Sequence, residues 1–276
     1  MKKTVVITGA SSGIGKITAQ YFLEKGWNVA ATMRNPQNEK ELKESDTLKL
    51  IKLDVENTDT IQSAVNETIK NFGKIDVWVN NAGYGAKGPT EAGTRAQIQR
   101  QYDVNFFGVI DCIKAIVPHF RVNKSGVIIN ISSIGGLLTI PMYAVYNSSK
   151  FAVEGLTEGL YYELGIFGIK VKLVEPGGIK TDFQGRSEDT WGIEKFPEYA
   201  AFVSNLDSKY HSEAFRKNLG NPIDVAKTIY SAATDGTDRL RYLVGKDAKQ
   251  FWFIRRWFGY KVQMSILKKY LGIKSL

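Results

Sequence analysis

The chain of 276 residues reads as an α/β protein with a single doubly wound parallel sheet of about seven strands and helices on both faces. Three observations lead there. Short β-branched and apolar runs alternate with longer stretches that repeat apolar residues at helical spacing. The strand runs are nearly continuous in apolar character, as strands covered on both faces must be. A glycine-rich turn, Gly9 to Gly15, joins the first strand to the first helix. No repeat, low-complexity linker or shift in composition divides the chain, so one domain over 1–276 is expected.

Taken in order, Thr4 to Thr8 is the first strand and Ile17 to Lys25 an amphipathic helix. The turn between them would place backbone N–H groups and a helix N-terminus around a phosphate. Its spacing is G-x-x-x-G-x-G, not the commoner Rossmann G-x-G-x-x-G; a turn that only packs helix on strand is the plain alternative. The second strand, Val29 to Met33, ends at Arg34. An acid at that place would meet ribose hydroxyls, whereas an Arg accommodates a 2′-phosphate. Arg34 therefore points to NADP(H) as the preferred cofactor and leaves NAD(H) open, with a solvated surface Arg as the bland alternative. Ser11 offers a hydroxyl to the same phosphate.

Leu48 to Leu53 is the third strand and closes on Asp54-Val55, which suits the edge and face of an adenine or serves as a simple turn. Ile61 to Phe72 is helical. Ile75 to Val79 is the fourth strand, ending in Asn80-Asn81-Ala82-Gly83, where small residues let backbone approach a ligand closely. Such ligands bind at the carboxyl ends of parallel strands. Ala96 to Phe120 reads as one long helix that carries Asn105 among apolar neighbours, so its amide must be paired. Val127 to Ile131 is the fifth strand and delivers Ser132 and Ser133.

Met142 to Phe167 is the second long helix and sets Tyr146 and Lys150 one turn apart on one face. A phenol titrates near ~10, and a neighbouring ammonium favours its anion, so the pair suits acid–base chemistry. Val171 to Val174 is the sixth strand; Glu175 to Asp182 forms a Pro- and Gly-containing loop over the ligand edge. Asn221-Pro222 starts a helix and Arg241 to Val244 is the last strand.

The composition, 43% hydrophobic and 24% charged, is that of an ordinary folded protein. The single Cys112 excludes an internal disulfide framework and fits a reducing compartment, so a cytoplasmic location is expected. The apolar run after Met1-Lys2-Lys3 is too short for a secretory leader, and no run is long enough to span a bilayer. The net charge of +9 is uneven: residues 246–276 hold eight Lys or Arg against Asp247 and carry +7 of it. A nearly neutral body argues against a nucleic-acid partner. No metal-ligand cluster is present, and His119 and His211 lie outside every motif.

TGASSGIG at 8–15, NNAG at 80–83, Asn105, Ser133, YNSSK at 146–150 and PGGIKT at 176–181 follow one another as in a known family. The chain resembles the short-chain dehydrogenase/reductases in their compact single-domain form. ATMRNP and EPGGIKT are most similar to the hydroxysteroid and retinol dehydrogenase-like branch. The resemblance implies an NADP(H)-dependent oxidoreductase that interconverts a carbonyl and a primary or secondary alcohol on a small apolar substrate. It implies Tyr146 as general acid or base and Lys150 as the group that lowers the Tyr146 pKa and bonds the nicotinamide ribose. Ser133 would hold the substrate oxygen, and Asn105 would support a water-mediated proton path to Lys150. Ser133 is preferred to Ser132 on the family's serine-to-tyrosine spacing, and Tyr143 is set aside because Asn147, not Lys, lies one turn on.

Cofactor contacts are implied for Gly9, Ser11, Ser12, Gly13, Ile14, Gly15, Arg34, Asp54, Val55, Asn81, Ala82, Gly83, Tyr146, Lys150, Pro176, Gly177, Ile179 and Thr181, the last toward the nicotinamide carboxamide. The same resemblance makes 183–217 the substrate-covering segment; its Phe183, Trp191, Phe196, Tyr199, Phe202 and Phe215 fit an apolar substrate or a lid packed on the body. The basic, aromatic tail 246–276 is expected to pack on the body or on a second copy in a homo-oligomer, with weak peripheral membrane contact as the alternative. A dinucleotide-binding sensor or scaffold without turnover is the rival function, but it has no need of all four catalytic-type residues.

Overall fold

The computed structural model describes residues 2–181 and 187–273; Asp182 and Phe183, both named above, lie outside the described residues. Among the described residues nine strands form two sheets. They are β1 (Thr4–Ile7), β2 (Asn28–Met33), β3 (Leu48–Lys52), β4 (Val77–Asn80), β5 (Gly85–Lys87), β6 (Gly126–Ile131), β7 (Ile169–Pro176), β8 (Glu188–Thr190) and β9 (Arg241–Val244). Seven of them make one wholly parallel sheet in the order β3-β2-β1-β4-β6-β7-β9. The order reverses between β1 and β4, which opens a crevice at their carboxyl ends. The glycine-rich turn and Asn80–Gly83 border that crevice.

The helices are α1 (Gly13–Glu24), α2 (Thr58–Phe72), α3 (Arg95–Tyr102), α4 (Gly108–Asn123), α5 (Ala144–Gly165), α6 (Ala200–Tyr210), α7 (Glu213–Asn218), α8 (Pro222–Thr234) and α9 (Lys246–Leu271). Side chains alternate across the sheet. Val5 and Ile7 of β1 join Phe22 of α1 and Val225 and Ile229 of α8 in one core. Val6 joins Ile61 of α2, Ile116 of α4 and Val153 of α5 in the other. Each such Val or Ile, taken fully out of water, contributes about 1.5–3 kcal/mol, which is why these strands read as unbroken apolar runs. Helix starts follow local chemistry: Asn57 Oδ1 accepts from Asp59 N, Thr94 and Gln97 form a capping box, and Asn221 Oδ1 accepts from Ile223 N ahead of Pro222.

The helix expected over Ala96 to Phe120 is interrupted. A π-helical turn, Asp103–Phe107, separates α3 from α4. Gly108 is pressed onto Val55, where a Cβ would stand 2.7 Å from Val55 Cβ; the extra residue of the turn lets the backbone pass this contact and re-aims Asn105. Helix α5 begins at Ala144, not Met142, because Met142 adopts φ 67°, a left-handed conformation outside the helix.

The two-stranded parallel sheet of β5 and β8 was not legible in the sequence, since strands of three residues carry too little pattern. It ties the chain after β7 to the chain after β4. Trp191, 1% exposed, locks that tie by packing under Gly88 and Gly93, where a Cβ would meet its backbone and ring at 2.7 Å and 2.3 Å. Trp191 thus packs the chain after β7 onto the chain after β5. A third apolar cluster, with Ile134, Leu138, Leu206, Leu267 and Leu271, joins the loop after β6 to α6 and α9. No described helix is long and apolar enough to cross a membrane.

Candidate active site

Thr8, at the end of β1, ties the two glycine-containing motifs together. Its Oγ1 accepts from Asn81 N and Ala82 N at 2.9 Å and 3.0 Å. Asn81 Nδ2 donates to Thr8 O at 2.8 Å and to Gly9 O at 3.2 Å. Gly9 has φ +68°, and a Cβ on Gly15 would lie 2.4 Å from Gly9 O, so only glycine fits this close approach. Gly13 has φ +53° and faces open space. Ser12 precedes α1 without a side-chain capping bond, and no acid stands in the first turn. An uncapped positive helix end and the open space beside Gly13 fit a dinucleotide pyrophosphate.

Arg34 is exposed just past β2, and Ser11 stands in the half-buried turn. Asp54 Oδ1 accepts from Glu56 N at 3.2 Å, the turn role the sequence left open. Val55 packs on Gly108, and Ala82 is held against Gly9.

The tetrad expected from the sequence converges. Ser133 follows β6; its Oγ accepts from Gly135 N at 3.0 Å and hydrogen-bonds the Tyr146 hydroxyl. Ser132 turns away: its Oγ and the Glu154 carboxylate both border Gly136, at 2.7 Å and 3.1 Å from where a Cβ would stand. Lys150 is buried, donates from Nζ to Ile131 O at 3.0 Å and lies 6.0 Å from the centre of the Tyr146 ring. Asn105 is 1% exposed. Its Oδ1 accepts from Tyr84 N at 3.0 Å, and its Nδ2 donates to Tyr84 O at 2.9 Å and Ser149 Oγ at 3.2 Å. Gly83 bridges the set, with a Cβ there falling 3.1 Å from Asn105 Oδ1 and 3.7 Å from Lys150 Nζ. Tyr143, set aside from the sequence, donates to Glu188 Oε2 at 2.6 Å and so anchors β8.

Burial raises the Tyr146 pKa above the ordinary phenol value, and the Ser133 bond acts the other way. The reason is desolvation, which disfavours the charged phenolate. Lys150 is itself pulled down to about 8 by burial, with Glu154, one turn further along α5, opposing that shift.

Behind Lys150 lies an ionic set that the sequence did not reveal, buried at Glu154 and Glu175 and open to solvent at Glu158. Arg241 Nη1 meets Glu154 Oε2 at 2.5 Å and also Glu175 Oε1, and its Nη2 meets Glu158 Oε1 at 2.5 Å. Burial and the Glu154 charge push Glu175 up to about 8, against the pull of Arg241. Asp247, also missed, accepts from Gly178 N at 2.7 Å and fills the space beside Gly177; it shapes the loop that carries Pro176 and Gly177. Its one available signal was a lone acid in a basic tail. Ile179 bridges to Gly220, and Thr181 ends the described part of that loop.

A family model described as short chain dehydrogenase matches residues 3–191. The chain belongs to that family of oxidoreductases, on the fold and the sequence match together. Among its relatives, a 3-ketodihydrosphingosine reductase of Bacteroides thetaiotaomicron is 44% identical over 179 residues, 65% of each chain. Retinol dehydrogenase 8 of Bos taurus is 33% identical over 252 residues, covering 87% of this chain and 80% of that protein. The solved structure of ElxO with NADP bound superposes with a TM-score of 0.74 at 31% identity, over 91% of this chain and 100% of the other.

Proposed function

We propose that this protein is an NADP(H)-dependent reductase or dehydrogenase that interconverts a carbonyl and an alcohol on an apolar substrate, with Tyr146 as general acid or base. The observation that carries this is the Ser133–Tyr146 hydroxyl pair beside buried Lys150, set at the same sheet edge as an open phosphate cradle. NADP(H), when bound, supplies or accepts the hydride. The chain's own residues handle the proton. A phenol held neutral by burial donates to a developing alkoxide, Ser133 orients the oxygen that receives it, and Lys150 stabilises the phenolate left behind. Asn105 holds Tyr84 and Ser149 in place around that lysine.

Arg34 supports NADP(H) over NAD(H), being exposed and cationic where a 2′-phosphate would fall, and ElxO, a relative in fold, binds NADP. The apolar cluster of Ile134, Leu138, Leu206 and Leu267 beside Ser133 supports a hydrocarbon-rich substrate. The names of the sphingoid-ketone and retinol relatives point the same way.

The decisive experiment is NADPH oxidation across ketosteroids, retinal, fatty aldehydes and long-chain ketones. Tyr146→Phe is expected to lower turnover by about 10²–10⁴-fold while leaving NADPH binding, read by calorimetry, within a factor of about two. Equal rates for the two proteins would reject the role given to Tyr146; cofactor binding with no turnover of any substrate would favour a sensor. Arg34→Asp is expected to weaken NADPH roughly tenfold to a hundredfold and spare NADH, since a charge-assisted bond to phosphate contributes about 1.5–3 kcal/mol. Unchanged selectivity would remove Arg34 from the site.

A further inference from the structure

Helix α9 has two faces of opposite character. Inward, Ala248, Leu267 and Leu271 are buried in the cluster beside Ser133. Outward, every residue from Arg256 to Val262 is exposed, including Trp257 at 72%, Phe258 at 59% and Tyr260 at 64%. Gly259, at φ 75° and ψ 174°, breaks the helix in the middle of this stretch, so the rings stand on a projecting bend. The ring contacts of Trp257 and Phe258 are with Phe253, at 6.4 Å and 6.1 Å between centroids; Phe253 is exposed as well. Met264, Ile266 and Tyr270 continue the exposed apolar surface along the second half of the helix.

Cations are interleaved with these rings. Arg256, Lys261 and Lys269 are exposed, and no Asp or Glu follows Asp247 in the sequence. A cavity of about 280 Å³, lined by Leu138, Phe151, Arg255, Tyr260, Met264 and Leu267 among others, opens between this bend and α5. An isolated exposed aromatic is ordinary, but a contiguous apolar surface of this kind marks a contact.

We propose that the outer face of α9 docks the protein on an anionic lipid surface. Trp257, Phe258 and Tyr260 enter the boundary between headgroups and acyl chains, and Arg256, Lys261 and Lys269 lie over acidic headgroups. Amphipathic rings flanked by long cationic side chains, with carboxylates excluded, are the chemistry of that boundary. A second copy of the chain fits poorly, because a two-fold contact through this face brings together two cationic surfaces to which the sequence after Asp247 contributes no Asp or Glu. An apolar protein groove fits poorly too, since it strips water from cations without pairing them. The choice posed by the tail's composition, between packing on the body and meeting a membrane, disappears once each role has its own face.

The test reads binding, not turnover, so its outcome is independent of the reaction assigned above. Full-length protein is floated with vesicles of phosphatidylcholine alone or mixed with phosphatidylglycerol. It is expected to rise with the mixed vesicles and to remain below with phosphatidylcholine. Trp257→Ser with Phe258→Ser, and separately Arg256→Gln with Lys261→Gln, should each reduce the bound fraction by about tenfold or more. All four side chains are exposed, and an unchanged melting temperature verifies that the variants are folded. Absence of flotation, or equal flotation by wild type and both variants, overturns the proposal. So does a dimer in sedimentation that the same variants dissociate, which would assign the face to a second copy.

Discussion

Glu175 is fully buried at the carboxyl end of β7, where Arg241 also holds Glu154. Its pKa of about 8 in the folded chain compares with about 4.3 when the chain is unfolded. Between those values the native state keeps a proton that the unfolded state has lost, so stability falls as pH rises through that window. Lys150 has the opposite sign. Its folded value of about 8 lies below the ordinary 10.4 or so, so between the two the unfolded state binds more protons and stability rises with pH. Glu175→Gln is therefore expected to flatten the decline from about pH 5 to pH 8 in urea unfolding of the cofactor-free protein. An identical slope in the variant would place the titration elsewhere. Tyr146 and Lys150 were legible as one helical turn of a single element. Arg241 and Asp247 were not, because each acts on a partner far back in the chain, 66 positions for Arg241 and Glu175 and 69 for Asp247 and Gly178.

Elements differ in how openly they declare themselves. The first strand, glycine-rich turn and α1 form one contiguous unit that a motif can encode, although the close approaches of Gly9 and Gly15 are to Ala82 and Asn81 as well as within the turn. Gly15→Ala tests the second approach. A methyl 2.4 Å from Gly9 O and 2.5 Å from Asn81 Nδ2 forces the turn away from Asn81, at a cost of about 1–3 kcal/mol. Urea unfolding should register that loss, and calorimetry should show NADPH binding weakened by at least about tenfold. A variant with native stability and affinity would mean that the turn gives way freely and does not set the cradle. By contrast, the π-helical turn at Asp103–Phe107 left no mark in the apolar spacing of Ala96 to Phe120. One extra residue shifts the phase of such a pattern by only a fraction of a turn, too little to see without knowing what each half touches. The β5–β8 pair is equally silent, since each strand is short and its partner lies on the far side of β6, α5 and β7.

At the scale of the molecule, the sheet divides the protein into two cores, with α1 and α8 on one side and α2, α4 and α5 on the other. Carboxyl ends of the strands supply the site; α6 and α9 close its apolar flank through the third cluster. The tail then contributes twice, inward as part of that flank and outward as the aromatic, cationic face proposed to meet lipid. Both uses follow from one sequence because helical periodicity after Gly259 turns Leu267 and Leu271 inward and leaves Met264, Ile266 and Tyr270 outside.

The sequence by itself determined the doubly wound sheet, the glycine-rich turn after the first strand and the placing of Tyr146 and Lys150 one helical turn apart. Those features rest on periodicity and on short spacings, which neighbours in the chain are enough to express; Asn105 and Ser133 joined that pair only through the resemblance to a family. Only the tertiary structure decided that Lys150 is buried, that Arg241 pairs with Glu154 and Glu175, and that the tail has a buried and an exposed face. The reason is that the cost of a charge and the exposure of a ring depend on what is packed against them, and that is set by residues distant in sequence.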